Sequence, residues 1–138
     1  MTFTERERAY LSSQKLGRLA TLDADGGLQN NPVGFHVNDD GTIDIRGHRL
    51  GRTRKFRNVR ATAAVSLVVD DLASVNPWHP RGIEIRGHAE ALTDLPAGNG
   101  HLSSEVIRIH PRRVIVWGGI DPDTPGLRGR DMGDRDVE

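Results

Sequence analysis

The sequence predicts a mainly β fold: an antiparallel barrel of about six strands with two short helices. Three observations carry this prediction. Runs of alternating or continuous apolar residues recur along the chain, such as LGRLATL at 16–22 and ATAAVSLVV at 61–69. Asp and Gly clusters that favour tight turns, DADGG at 23–27 and NDDG at 38–41, separate several of them. The connections are mostly short, as hairpins require, which favours an antiparallel barrel over a parallel sheet.

Taken in order, Thr4 can cap a first helix that ends near Ser13, with Glu5 and Glu7 in its first turn and Tyr10 and Leu11 on its inner face. Residues 16–22 form a strand and 28–37 return as its partner. Within the return, Asn31, Pro32, Val33, Gly34 and Phe35 combine a missing donor with a missing side chain, so this strand lies at a sheet edge or beside a ligand. Residues 42–47 make another strand, and a basic helix spans about 52–59, with Phe56 and Val59 as its buried face. The apolar run 61–69 sits centrally in the sheet. Residues 70–80, with two prolines and Trp78, read as a loop. A long strand covers 81–92, a breaker segment 96–100, and a last strand 103–117, bulged at Pro111. Residues 1–120 thus form one domain, and the Gly, Asp and Pro-rich residues 121–138 form a tail, mobile or ordered by packing on a partner. The hexapeptides IDIRGH (43–48) and IEIRGH (83–88) are alike, but two copies do not make a solenoid.

Charge is the most informative feature. Lys plus Arg and Asp plus Glu both total 19, a balance that argues against wholesale nucleic-acid binding. Yet Arg46, Arg49, Arg52, Arg54, Lys55, Arg57 and Arg60 fall within sixteen residues that contain no acid. A basic turn leading into a helix is an anion site, because the helix start adds unpaired N–H groups and the positive dipole end. The bland alternative is a solvated basic helix face. Cysteine is absent, which rules out thiol chemistry and suits the cytoplasm, and no apolar run approaches a membrane span. All but two of the basic residues are arginine, as a GC-rich genome would encourage.

No nucleophilic triad signature, dinucleotide fingerprint or Walker motif appears. The six histidines lack metal-motif spacing. His48 and His88 each follow Arg-Gly at a strand end, where a structural hydrogen-bonded role is the commoner outcome. Trp78 suits a subunit interface or a stacked flat ligand, and Trp117 suits core packing.

From about Leu11 to Trp117 the chain resembles the flavin and deazaflavin oxidoreductases of the pyridoxamine 5′-phosphate oxidase-like split-barrel fold. The resemblance rests on LGRLATLDADGGLQNNPVGF (16–35), on TRKFRNVRA (53–61), which is similar to a Ser/Thr-x-Lys-x-x-Asn-hydrophobic helix, and on RGIEIRGHAEAL (81–92). It implies a six-stranded split β-barrel of the kind that binds flavin mononucleotide (FMN), a homodimer, and cofactor sites at the interface. Carried over by position, Pro32, Val33 and Gly34 line the cofactor ring. Gly47, Thr53 and Lys55 hold its phosphate, with Arg46, His48, Arg52 and Arg54 as additions, and Trp78 and Arg81 reach across the dimer. No side chain is implied as a catalytic base. The short chain and its arginine-dense turn look most like the actinobacterial branch that uses coenzyme F420, whose phosphodiester and polyglutamate tail explain seven cations better than one phosphate does. The resemblance therefore implies hydride transfer from reduced F420 to a small organic acceptor. The alternatives are an FMN-dependent reductase or oxidase, and a non-catalytic cofactor or haem binder.

Overall fold

The structure is a computed structural model that describes residues 3–96, 102–123 and 129–131. Helix α1 (Glu5–Ser13) opens with a full capping box. The Thr4 hydroxyl accepts the Glu7 N–H at 3.1 Å, and the Glu7 carboxylate accepts the Thr4 N–H at 3.0 Å. Tyr10 and Leu11 are buried beneath it, as the pattern predicts.

The strands are β1 (Gly17–Leu22), β2 (Leu28–Val33), β3 (His36–Val37), β4 (Ile43–Ile45), β5 (Ala64–Ser74), β6 (His79–Leu92), β7 (Val106–Trp117) and β8 (Gly129–Asp131). All described pairings are antiparallel, in the order β2-β1-β5-β6-β7-β4-β3, with β8 added on β7. This is the expected curled antiparallel sheet, with the two-residue β3 and β8 beyond the six anticipated. The two ends of the path, β2 and β3, are joined by only Gly34 and Phe35. The sheet therefore curls until its ends meet, and the barrel is split at those two residues.

This seam corrects the expectation of one continuous strand over 28–37. Pro32 removes a ladder donor and Gly34 a side chain, so pairing stops at Val33 and the chain crosses to the far end of the sheet. The loop expected over 70–80 is corrected too. Pairing continues to Ser74 and resumes at His79, with Asp71 facing Arg81 and Leu72 facing Pro80 across the hairpin. A cross-strand ion pair there offsets the loss of apolar packing.

Ile43, Ile45, Leu67, Ile83, Ile85, Ile107, Ile109 and Val114 point inward and are fully buried. IDIR and IEIR contribute the same alternation because β4 and β6 flank β7 on either side. The bulge expected at Pro111 is present, and Gly87 stands opposite, where a Cβ would collide with the His110 carbonyl. Helix α2 (Arg54–Ala61) begins two residues later than expected, because Leu50–Arg52 form a 3-10 turn and Thr53 caps the helix. Phe56 and Val59 enter the core from α2.

The tail is tied to its own barrel. Residues 129–131 pair with β7, and Asp121 is buried and accepts a 2.6 Å hydrogen bond from the Thr4 hydroxyl. The rest of 121–138, apart from 122 and 123, lies outside the described residues, as does most of the breaker segment 96–100. Among the described residues no helix is long and apolar enough to cross a membrane.

Candidate functional site

Strand β2 is an end of the sheet path, so among the described residues one of its edges carries no strand. Pro32 on this strand is exposed, and a Cβ at Gly34 would meet nothing within 4 Å. Backbone at this edge is therefore left uncovered by strand or side chain among the described residues. Val33 differs from its neighbours: its side chain is buried in the core, so only its backbone borders this edge.

Helix α2 lies against the β1 and β2 hairpin, and one buried side chain fixes the distance between them. Asn58 is 4% exposed; its amide donates to the Thr21 hydroxyl on β1 at 3.0 Å and reaches Gln29 on β2 at 3.5 Å. Asn58 was not among the expected site residues. Asparagine is a poor interior helix former, so its place between Arg57 and Val59 was the available signal.

At the start of α2, Thr53 is committed to local structure. Its N–H and its hydroxyl both donate to the Leu50 carbonyl, at 3.0 and 2.7 Å, while its oxygen accepts the Phe56 N–H at 3.3 Å. Arg54 and Lys55 are the first two helical residues, whose backbone N–H groups lack intrahelical acceptors. Their N–H groups and cationic side chains make this turn locally positive. Arg52 and His48 are exposed just before it, and Gly47 is fixed by its carbonyl, which accepts both the Ser103 N–H and hydroxyl at 3.1 Å.

The disposition of the arginines supports a reserved site. Arg18, Arg81, Arg86, Arg108, Arg113 and Arg130 each meet a carboxylate. Among the described residues, none of the seven cations between Ile45 and Arg60 forms an ion pair. Arg57 donates to the Arg52 carbonyl, Arg46 to the Pro96 carbonyl, and Arg60 lies 5.0 Å above the Phe56 ring. Acids lie nearby, Glu105 toward Arg60 and Asp44 toward Arg46, but short of ion-pair contact, and the remaining crowding of like charges is relieved when an anion binds.

The basic segment does not face one cavity. Arg46 lines a cavity of about 580 Å³ at the barrel seam with Gly34, Phe35, His36 and Asp44. Arg49, Arg52 and Arg60 line another of about 480 Å³ with Ser103 and Glu105. Arg49 adopts the left-handed conformation, φ 54°, immediately before the 3-10 turn.

Arg81 and Trp78 stand elsewhere. Trp78 is 68% exposed at the tip of the β5 and β6 hairpin. The Arg81 guanidinium clamps Asp71 at 2.8 and 3.1 Å and lies 5.0 Å over the Tyr10 ring. The Tyr10 hydroxyl also donates to Asp71, at 2.7 Å. Two of the five Arg81 N–H donors are thereby used, leaving others for a ligand or a partner.

The Arg81 clamp holds the Asp71 carboxyl below its ordinary value of 3.8, against partial burial and with help from Tyr10. Burial, followed by the bond to Asp71, pushes the Tyr10 hydroxyl upward. A depressed carboxylate contributes stability that is complete above its unfolded value and is lost as pH falls through the lower folded one. Asp71→Asn is therefore expected to flatten the fall in melting temperature below about pH 4 relative to wild type, as read by calorimetry across that range.

The comparisons agree with this architecture. The pyridoxamine 5′-phosphate oxidase family profile matches residues 3–118. A 5a,11a-dehydrotetracycline/5a,11a-dehydrooxytetracycline reductase from Streptomyces rimosus is 44% identical over 138 residues, covering 96% of this chain and 94% of that protein. Among solved structures, a conserved hypothetical protein from Mycobacterium tuberculosis superposes with a TM-score of 0.69 at 21% identity, covering 91% of each chain. A heme binding protein from Mycobacterium smegmatis gives 0.65 at 17% identity, covering 95% of this chain and 59% of that one. These two likenesses concern the fold alone. A profile match over most of the chain, the split antiparallel sheet and a close relative together place this chain in the pyridoxamine 5′-phosphate oxidase family.

Proposed function

We propose that this protein is an oxidoreductase that uses reduced F420 to reduce an activated unsaturated bond in a ring-containing organic acceptor. One observation carries the reading: a helix start whose Arg52, Arg54 and Lys55 form no ion pair among the described residues, on a helix that Asn58 ties to the β1 and β2 hairpin. The reductase relative, whose name denotes a dehydro ring compound as substrate, supports the reaction class.

The residues present fit the group. The open edge at Pro32 to Gly34 suits a flat ring with a polar rim, and the start of α2 suits its phosphodiester. Reduced F420, when bound, supplies a hydride, and a proton from solvent completes reduction of the acceptor. The chain's own part is binding, orientation and exclusion of water. The backbone of β2 fixes the ring plane, and Arg54 and Lys55 anchor the phosphodiester through charge-assisted bonds. Arg52, His48 and the turn at Gly47 extend the positive surface along the tail. In the homodimer that this reading includes, Trp78 and Arg81 of one protomer cover the ring held by the other. The exposed apolar side chains Leu16, Leu28, Leu72, Val75 and Trp78 suit burial at such an interface. FMN shares the ring and one phosphate but lacks the carboxylate tail, and it is the alternative ligand. Titrating the purified protein with F420 and with FMN tests the choice between them.

A further inference from the structure

The seam cavity separates Arg46 from the rest of the basic segment. It shares no lining residue with the cavity of Arg49, Arg52 and Arg60. It adjoins the ring edge through Gly34, and its volume of about 580 Å³ falls in the range that encloses a small organic ligand.

Its charge can be read residue by residue. Asp44 is neutralised by the Arg108 fork, at 2.7 and 2.9 Å. His36 faces Asp44 across the β3 and β4 ladder. Arg46 donates one N–H to the Pro96 carbonyl at 3.0 Å, which orients the guanidinium while leaving further donors. With Asp44 committed, Arg46 gives the cavity a net positive character. Phe35 and Leu102 supply apolar wall.

Building on the functional reading above, we propose that this seam cavity is the acceptor subsite. It takes a flat, partly apolar molecule bearing an acidic oxygen, as a carboxylate or an ionised enol or phenol, and Arg46 binds that oxygen rather than the cofactor phosphate. Phe35 and Leu102 hold the ring body, and Gly34 leaves the approach to the cofactor ring open.

The test uses 2-naphthoate and its uncharged methyl ester as probes, with calorimetric binding to wild type and to Arg46→Met. Wild type is expected to bind 2-naphthoate at least tenfold more tightly than the ester. Arg46→Met is expected to remove that preference while changing F420 affinity less than twofold. A wild-type protein without the preference, a preference that survives Arg46→Met, or a tenfold loss of F420 affinity in the variant would each overturn the proposal. The failures are distinguishable. Wild type that binds the naphthoate selectively but not F420 removes the functional reading, whereas F420 binding without naphthoate selectivity removes the subsite.

Discussion

Replacing Arg54 and Lys55 together with alanine is expected to weaken F420 binding by about 100-fold or more, since a hydrogen bond to a charged group contributes roughly 1.5–3 kcal/mol. Folding should be nearly unchanged. Arg54 is exposed and Lys55 half-buried, neither is in an ion pair among the described residues, and alanine is the best helix former for the first turn of α2. The capping bond from the Phe56 N–H to the Thr53 hydroxyl and the burial of Phe56 and Val59 do not involve either side chain. Fluorescence titration at low and moderate salt measures the loss, and circular dichroism checks the fold. Removing like charges from a crowded segment can even stabilise the free protein, so affinity and stability move in opposite directions. A solvated basic face with no ligand role would leave F420 affinity unchanged.

The second large effect concerns stability. Glu7 is fully buried, and Arg130 on β8 approaches both of its carboxylate oxygens, one at 2.7 Å. Arg130→Met should cost about 3–5 kcal/mol, because it strands a buried carboxylate with only the Thr4 N–H among its described partners. The double change Glu7→Leu with Arg130→Met should recover much of that loss, since two apolar groups replace the pair and no charge is left uncompensated. Urea denaturation of the single and double variants reads the difference directly. A loss below about 1 kcal/mol for Arg130→Met would place the pair among ordinary surface ion pairs and contradict its structural role.

The local geometry of the candidate site was legible where its signals are local. A threonine before Arg54 and Lys55 marks a capped basic helix start, and proline next to valine and glycine marks a strand that cannot pair on both sides. The fold was legible for the same reason: alternation and Asp-Gly turns are properties of neighbouring residues. What escaped depends on partners far away in the chain. Asp71 and Arg81 extend the β5 and β6 hairpin through an ion pair that no window of hydropathy contains. Asp121 and Arg130 look like tail residues until they are set beside Thr4 and Glu7, more than one hundred positions earlier. The break at Gly34 was readable as an oddity, but not as the seam, because that requires knowing that β2 and β3 end opposite sides of one curled sheet. Likewise, seven cations in one segment suggested one site, and only the turn at Gly47 to Arg52 divides Arg46 from the others.

The central claim is that Arg52, Arg54 and Lys55 at the start of α2, none in an ion pair among the described residues, are reserved for a polyanionic deazaflavin cofactor. Parallel titration of the wild-type protein with F420 and FMN, repeated across salt concentrations, measures this most directly. The account predicts that F420 binds at least about tenfold more tightly than FMN at low salt, with the gap narrowing as salt screens the tail. Equal affinities, tighter binding of FMN, or binding of neither would contradict it.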